Sequence, residues 1–319
     1  MAGIDRLFLF MKAIQELDND RPNEDATVMV AKESIAPDQV TITPSDGITV
    51  EELDDASVSS SFSASPQPIL TMRNLRLATP DNKRVLIENL NLSVSMGQNL
   101  LIAGVSGAGK SSLLRAIAGL WHSGGGEITR SKNVYFLPQK PYCPPGTLRD
   151  QLLYPASTEL GYEDQEDYTQ RGANWSDEDL LNILASVELP DLARRSGDGD
   201  PIRGINAVLD WSNTLSLGEQ QRLAFGRLLV NRPRLVVMDE STSALDVVAE
   251  RKMYTLLKER LFSDTGDPAT YVSVGHRPTL LAYHDLKLLL RDGSGHASFI
   301  PQEETTTGDQ EAILRSLQR

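Results

Sequence analysis

A chain of 319 residues, with 40% hydrophobic and 24% charged residues, has the length and composition of a globular protein with one sizeable core. No apolar run reaches the roughly 20 residues that cross a bilayer, so we expect no membrane-spanning helix. The apolar run at 7–10 is too short for a secretory signal peptide, so we expect none. The net charge of −13 argues against a nucleic-acid partner, and the single cysteine, Cys143, excludes an internal disulfide.

The first 65 residues are predicted to hold one short helix and a linker. Residues 1–18 carry apolar side chains at helical spacing, which predicts an amphipathic helix. Residues 19–65 lose this periodicity and are rich in Asp, Glu, Ser, Thr and Pro, a composition that predicts an acidic disordered linker. Residues 1–65 contain 13 acidic and 4 basic side chains, so most of the negative charge lies in this flank.

Beyond residue 65, short apolar segments alternate with helical patterns, which predicts an α/β core built on a parallel sheet. The predicted strands are Ile69–Leu77, Val85–Val94, Asn99–Ala103, Val134–Leu137, Arg234–Met238 and Tyr271–Val274. The predicted helices are Ser111–Leu120, Ser176–Val187 and Gln220–Leu229. An acidic surface excursion is predicted over 158–179, and a polar tail over 301–319.

The segment 104–111 (GVSGAGKS) fits the phosphate-loop pattern G-x-x-x-x-G-K-[ST] at every fixed position. It follows an apolar strand and precedes a predicted helix, the context that the pattern requires. Glycines let backbone N–H groups turn toward anionic oxygens, Lys110 supplies charge to the outer phosphates, and the Ser111 hydroxyl suits Mg²⁺. This pattern predicts binding of ATP or GTP. The predicted nucleotide-binding residues of this region are Gly104, Val105, Ser106, Gly107, Ala108, Gly109, Lys110, Ser111 and Ser112.

Two adjacent carboxylates, Asp239 and Glu240, end an apolar strand. Ligands of an open parallel sheet bind at the carboxyl ends of its strands, so this pair is expected to face the phosphate loop. Asp239 suits a direct or indirect Mg²⁺ ligand, and Glu240 suits a group that orients the attacking water or accepts its proton. The pair therefore predicts nucleotide hydrolysis.

Four further features resemble motifs of ABC transporter ATP-binding domains. Residues 215–222 (LSLGEQQR) resemble the signature motif, and residues 239–246 (DESTSALD) resemble the Walker B motif followed by the D-loop. Gln139 matches the Q-loop glutamine and His276 the switch histidine, each shortly after a predicted strand. With the phosphate loop, these features occur in the family's order between residues 100 and 280.

The resemblance implies an α/β fold: a P-loop NTPase core of the RecA type, an antiparallel β subdomain and an inserted α-helical signature subdomain. It implies an ABC domain over 66–300, with the helical subdomain at about 145–225. The expected cofactors are ATP and Mg²⁺. The expected partners are a second ABC domain, arranged head to tail, and a transmembrane permease domain.

The resemblance also assigns roles to single residues. Those expected to act in hydrolysis are Lys110, Glu240 and His276, and those around Mg²⁺ are Ser111, Gln139 and Asp239, with Gln139 also counted as ATP-binding. The residues expected to contact the ATP of the partner domain are Ser216, Gly218, Glu219 and Gln220. Asp246 is the D-loop aspartate. Two positions depart from the family pattern, since Thr79-Pro80 stands near the place of the adenine-stacking aromatic residue and Leu217 replaces a signature glycine.

Residues 133–155 and 210–216 look like the subfamily D group of peroxisomal fatty-acyl half transporters and its bacterial relatives that move peptides or cobalamin. Residues 1–18 resemble the segment after the last transmembrane helix of that group. The resemblance implies transport of a hydrophobic or acyl-type substrate from a membrane-associated position on the cytosolic or equivalent organellar face. A soluble ABC ATPase and a non-transporting truncated product remain as alternatives, and the chain could be part of a half transporter or a separate subunit.

Overall fold

The computed structural model describes residues 47–53, 68–155, 175–260, 270–290 and 297–301, all within the unit Pro44–Arg319. The strands are β1 Gly47–Leu53, β2 Pro68–Ala78, β3 Val85–Ser95, β4 Leu100–Gly104, β5 Gly124–Ser131, β6 Val134–Leu137, β7 Leu235–Asp239, β8 Thr270–Val274, β9 Leu286–Leu290 and β10 Ala297–Pro301. The helices are α1 Lys110–Ile117, α2 Leu148–Leu153, α3 Asp177–Ser186, α4 Leu192–Ser196, α5 Pro201–Ile205, α6 Trp211–Thr214, α7 Leu217–Asn231 and α8 Val247–Arg260, with a 3-10 helix at Pro278–Tyr283.

These strands form two sheets. One has four strands in the order β1-β5-β2-β3, in which only the β1–β5 pair is parallel. The other has six strands in the order β10-β9-β4-β8-β7-β6, and it is parallel except for the edge strand β10. The expected α/β class and the expected antiparallel β subdomain are both confirmed.

The predicted strands and long helices lie within a few residues of their expected places. The strands β5, β9 and β10, the 14-residue helix α8 and the short helices were not predicted. Strand β5 opens with three glycines, at Gly124, Gly125 and Gly126, and this composition hides a strand from any pattern of apolar residues.

Strand β1 corrects the prediction of a disordered linker over 19–65. Residues 47–53 pair in parallel with β5, from Gly47 opposite Gly125 to Leu53 opposite Ser131. The buried guanidinium of Arg130 forms an ion pair with Glu52 at 2.7 Å. The prediction was wrong for this segment because its backbone partner lies more than seventy residues away, where local composition gives no sign of it.

Several other sequence predictions lie outside the described residues. They are the helix at 1–18, the rest of the linker, the acidic excursion up to residue 174, and the tail beyond residue 301. In the part of the chain that the structure does describe, no helix is long and apolar enough to span a bilayer.

The parallel sheet separates two hydrophobic cores because successive side chains of a strand point to opposite faces. Leu100 and Ile102 of β4 belong to the core that also contains α1 and the four-stranded sheet. Leu101, between them, belongs to the core that contains helices α2–α7. The short apolar runs are therefore buried on both faces, which is why they show no polar alternation.

The helices between β6 and β7 form one packed unit. Trp211 and Phe225 are buried at its centre. Three of its helices, α2, α3 and α7, begin with a Ser or Thr cap whose hydroxyl accepts a backbone N–H, while an acidic side chain three residues later binds back to the cap. Arg227 of α7 donates to the carbonyl oxygens of Gln151 at 2.6 Å and Tyr142 at 2.8 Å, so it ties α7 to α2 and to the segment after β6.

A buried histidine lies beside the parallel sheet. The ring of His284 packs edge-on against Tyr254 and Tyr271, at centroid distances of 5.6 and 5.1 Å. Its Nδ1 donates to the carbonyl oxygen of Leu280 at 2.7 Å, while Nε2 has no hydrogen-bond partner among the described residues. Burial lowers the pKa of His284 from 6.5 to about 4.

This histidine predicts a pH dependence of stability. Because the pKa in the folded state lies below that in the unfolded state, the unfolded chain binds the proton first, and stability present above pH 6.5 is lost as pH falls toward 4. The loss is about 3 kcal/mol at most. We expect urea unfolding of His284→Gln to show a correspondingly weaker fall in the free energy of unfolding between pH 7 and pH 4.

The exposed His122 provides the matched control, since His122→Gln should follow the wild-type pH dependence. Equal pH dependence of wild type and His284→Gln would contradict the prediction.

Candidate nucleotide-binding site

The loop 105–109 joins the end of β4 to the start of α1, as the phosphate-loop pattern requires. Gly107 and Gly109 adopt φ angles of 78° and 97°, which side-chain-bearing residues rarely reach. Gly109 also occupies the position before the first residue of α1, so the first N–H groups of this helix open toward the loop. Such a concave backbone at a helix N-terminus favours a bound anion.

Lys110 is a buried cation inside this loop. Its Nζ donates to the carbonyl oxygens of Gly104 at 2.7 Å and Val105 at 3.0 Å. Burial lowers the pKa of Lys110, and the nearby carboxylates of Glu240 and Asp239 oppose that shift. The ammonium group is thus held within the loop by two neutral carbonyl oxygens, and an anion bound there would add charge-assisted contacts that these oxygens do not supply.

Ser111 and Asp239 lie side by side across the end of the sheet. The Ser111 hydroxyl donates to Oδ1 of Asp239 at 3.2 Å. Burial raises the pKa of Asp239, and the neighbouring Glu240 carboxylate raises it further, although the hydrogen bond from Ser111 acts in the opposite direction. A cation bound between Ser111 and Asp239 would reduce the repulsion between the carboxylates of Asp239 and Glu240.

Glu240 is held from two sides. One carboxylate oxygen accepts a hydrogen bond from Nε2 of Gln139 at 2.8 Å, and the other accepts one from Nε2 of His276 at 2.7 Å. The carboxylate and the imidazole remain 26% and 38% exposed, so both can reach a ligand or a water. The backbone of Glu240 has a φ of 48°, an uncommon conformation of the kind that clusters at functional sites.

The signature residues lie at the start of α7. Ser216 caps the helix, and Glu219 binds back to Ser216 and forms an ion pair with Arg195 at 2.5 Å. Gly218 lies against the D-loop, since a Cβ atom added to it would be 3.1 Å from the carbonyl oxygen of Ala244.

Gln220 does not share this exposed position. Its side chain is buried and donates to the carbonyl oxygens of Ser212 and Leu215, at 3.0 and 2.9 Å. The expectation that Gln220 contacts the ATP of a partner is therefore corrected, because residue 220 falls on the face of α7 that packs inward. Its side chain supports the turn that precedes the helix.

Asp246 caps α8. Its Oδ1 accepts hydrogen bonds from the backbone N–H groups of Val248 at 2.9 Å and Ala249 at 2.8 Å. This contact fixes the end of the D-loop relative to α8.

Two further polar residues connect the motifs, and neither was singled out from the sequence. Gln221, fully buried on α7, donates to the carbonyl oxygen of Gln139 at 2.8 Å and accepts from the N–H of Ala244 at 3.0 Å. Glu250, buried on α8, binds Thr242, which follows Glu240, and Arg277 and Thr279, which follow His276. The sequence signal for Gln221 and Glu250 was a polar residue on the otherwise apolar face of a helix. That signal indicates a buried polar group, but it does not reveal the hydrogen-bond partners.

The loop glycines predict different sensitivities to an added methyl group. A Cβ at Gly104 would lie 2.6 Å from the carbonyl oxygen of Leu290, whereas a Cβ at Gly107 would meet nothing within 4 Å. We expect Gly107→Ala to lower the free energy of unfolding by about 1 kcal/mol through backbone strain. Gly104→Ala should lower it by about 3 kcal/mol, because steric overlap is added. Urea unfolding without nucleotide measures both, and equal losses would show that β9 yields to the methyl group.

Comparisons with known proteins agree with this geometry. Residues 87–243 match the family model described as ABC transporter. The chain is 45% identical over 217 residues to an uncharacterized ABC transporter ATP-binding protein of Synechocystis, covering 67% of this chain and 29% of that protein. It is 38% identical over 256 residues to the chloroplastic ABC transporter D family member 2 of Arabidopsis thaliana, covering 69% and 34%. It is 37% identical over 229 residues to the human lysosomal cobalamin transporter ABCD4, covering 70% and 34%.

The fold also matches a solved structure, described as an inward-facing conformation of a metal-chelate type ABC transporter. The TM-score is 0.57 at 23% identity, and the match covers 78% of this chain and 90% of that one. The chain spans about a third of the length of the curated relatives it matches. These matches show that the chain belongs to the ABC transporter family and carries its ATP-binding domain.

Proposed function

We propose that this chain binds Mg²⁺-ATP and hydrolyses it, as the nucleotide-binding domain of an ABC transporter. The observation that carries the proposal is the carboxylate of Glu240, held between Gln139 and His276 and still open to solvent. Hydrolysis needs a group that orients a water and accepts its proton, and this carboxylate stands beside the phosphate loop in a fixed orientation.

The residues present fit Mg²⁺. This ion takes oxygen ligands and is commonly held by one or two carboxylates together with substrate phosphates. Ser111 and Asp239 present a hydroxyl and a carboxylate 3.2 Å apart. The amide nitrogen of Gln139 donates to Glu240, and among the described residues none donates to its amide oxygen, which could bind a cation. The described residues contain no cluster of three or more His, Cys, Asp or Glu side chains that could hold a metal ion.

The loop fits the phosphates of ATP. Residues 104–112 place backbone N–H groups and the N-terminus of α1 around one concave surface, and Lys110 can exchange its carbonyl contacts for phosphate oxygens. Mg²⁺, when bound, would neutralise charge that develops on the transferring phosphoryl group.

The protein side chains then divide the remaining work. Glu240 holds a water in line with the terminal phosphorus atom and accepts a proton as the new O–P bond forms and the bond to the bridging oxygen breaks. Gln139 and His276 fix the two oxygens of Glu240, so the carboxylate keeps one orientation toward the attacking water.

The signature helix supports a shared site between two domains. The exposed start of α7 presents Ser216 and Gly218 next to a 15-residue helix whose N-terminal end attracts anions. We propose that two domains meet head to tail, so that Ser216, Gly218 and Glu219 contact the ATP held by the phosphate loop of the partner domain. Asp246 positions the D-loop between the two sites.

The wider assignment rests on the relatives. We propose an ABC domain over 66–300, extended by β1, with the helical subdomain at about 145–225. A transmembrane permease domain would couple it to the transport of a hydrophobic or acyl-type substrate, with this chain on the cytosolic or equivalent organellar face. The subfamily D relatives support this branch of the family.

Substitution of the proposed water-orienting group tests hydrolysis. We expect Glu240→Gln to lower kcat for ATP by at least about 100-fold, because the amide cannot accept the proton. The affinity for Mg²⁺-ATP should change little. Phosphate release and equilibrium nucleotide binding measure the two quantities.

Two controls separate binding from chemistry. Lys110→Ala should weaken nucleotide binding itself, and Glu188→Gln, which removes an exposed partner of Lys252, should leave both quantities unchanged. Equal hydrolysis rates for Glu240→Gln and wild type would contradict the proposed function.

The shared site is tested by association. In the Glu240→Gln background, Mg²⁺-ATP should accumulate a dimer, since the closed form is no longer consumed by hydrolysis. Ser216→Arg in the same background should abolish this dimer in analytical ultracentrifugation, because a bulky cation replaces the helix cap. Asn182→Arg, on the exposed face of α3, is the matched control. Unaltered dimerisation of the Ser216→Arg variant would exclude the head-to-tail arrangement.

A further inference from the structure

We infer that Glu250 is a positioning residue for hydrolysis, which holds the segments carrying Glu240 and His276 in register. Glu250 lies in the first turn of α8, directly after the D-loop. The inference rests on the proposed ATP hydrolysis and assigns to that site a residue outside its recognised motifs.

The Glu250 side chain is only about 1% exposed and is surrounded by donors. Its Oε2 accepts a hydrogen bond from the hydroxyl of Thr242 at 3.0 Å and faces the guanidinium of Arg277 at 3.4 Å. Its Oε1 accepts a hydrogen bond from the hydroxyl of Thr279 at 2.6 Å. Each carboxylate oxygen is therefore bound, and the charge has a counterion.

These partners belong to the two segments that form the candidate site. Thr242 lies two residues after Glu240, and Arg277 directly follows His276. One carboxylate thus joins the chain after β7 to the chain after β8. Glu240 and His276 face each other at 2.7 Å across this junction, so a displacement of either segment changes that distance.

A second contact strengthens the junction. Arg277 also donates to the carbonyl oxygen of Ser243 at 3.1 Å, which extends the connection into the D-loop. Glu240, Ser243, His276, Arg277 and Glu250 line one cleft of about 180 Å³. Glu250 forms no direct bond with Glu240 or His276 and therefore acts through Thr242, Arg277 and Thr279.

The chemistry of the group favours this role over simple packing. A buried carboxylate carries a desolvation penalty that an apolar residue of similar volume would avoid. Its directional bonds, however, fix the relative position of two loops in a way that apolar contacts do not. Catalytic groups misplaced by about 1 Å lose about 100-fold in rate, so a group that fixes them acts mainly on kcat.

The test compares Glu250→Gln and Glu250→Ala in the full chain with Glu259→Gln, an exposed control on the same helix. We expect kcat for ATP to fall about 100-fold in Glu250→Ala and about 10-fold in Glu250→Gln, which keeps an acceptor oxygen for Thr279. KM for ATP and nucleotide binding should stay within about twofold of wild type, since the phosphate loop is untouched. Glu259→Gln should match wild type throughout.

A second readout does not depend on turnover. The ring ¹H–¹⁵N signals of His276, identified by their loss in His276→Gln, should move in Glu250→Ala and in Glu240→Gln but not in Glu259→Gln. The ring signals of the buried His284 should keep the ring-current shifts that Tyr254 and Tyr271 give them in every variant, which shows that the domain is folded.

The outcomes separate the two proposals. If wild type and Glu240→Gln hydrolyse ATP equally, the proposed function fails. The His276 signals then still show whether Glu250 holds His276 in place. If wild type hydrolyses ATP and both Glu250 variants keep its kcat, the positioning role is overturned alone. A parallel loss of kcat and nucleotide binding, without rescue by Glu250→Gln, would reduce Glu250 to a residue that maintains the fold.

Discussion

The parallel pairing of β6, β7 and β8 is the constraint on which the site depends. Leu137 pairs with Met238 and Asp239 pairs with Val274, so the three strands end at one level. Gln139, Glu240 and His276 follow those ends by one or two residues, although the chain separates them by more than thirty residues. The N–H of Glu240 also donates to the carbonyl oxygen of Val274 at 3.0 Å, which continues the ladder into the site. Without this register, no two of these side chains would meet.

The charges at the site are arranged for a ligand. Burial of the Lys110 ammonium lowers its pKa. Burial of Asp239 and its repulsion from the neighbouring Glu240 carboxylate raise the pKa of Asp239. A polyanion with its cation would satisfy the ammonium and the carboxylates at the same time. The site therefore combines a partly desolvated cation and two adjacent carboxylates with a preformed backbone. This arrangement favours a ligand that carries charges of both signs.

The buried polar side chains connect this centre to the rest of the molecule. Gln221 joins the signature helix to the Q-loop and D-loop backbones, and Glu250 joins the segments after β7 and β8. Buried polar groups of this kind hold loops in defined positions, because each unsatisfied partner would carry a penalty in a low-dielectric interior.

The sequence by itself determined the family and indicated the main residues of the candidate site, because backbone freedom at glycine, a lysine charge and paired carboxylates are local properties of residues. It also located the buried strands β4, β7 and β8, whose apolar runs are local too, but it missed the equally buried β9. Only the tertiary structure decided which groups touch. Strand β1 pairs with the distant strand β5, and the side chain of Gln220 packs inward from α7. Glu250 accepts hydrogen bonds from two separate loops. Contacts between segments far apart in the chain arise from the packing of elements, and the order of residues within one element does not encode them.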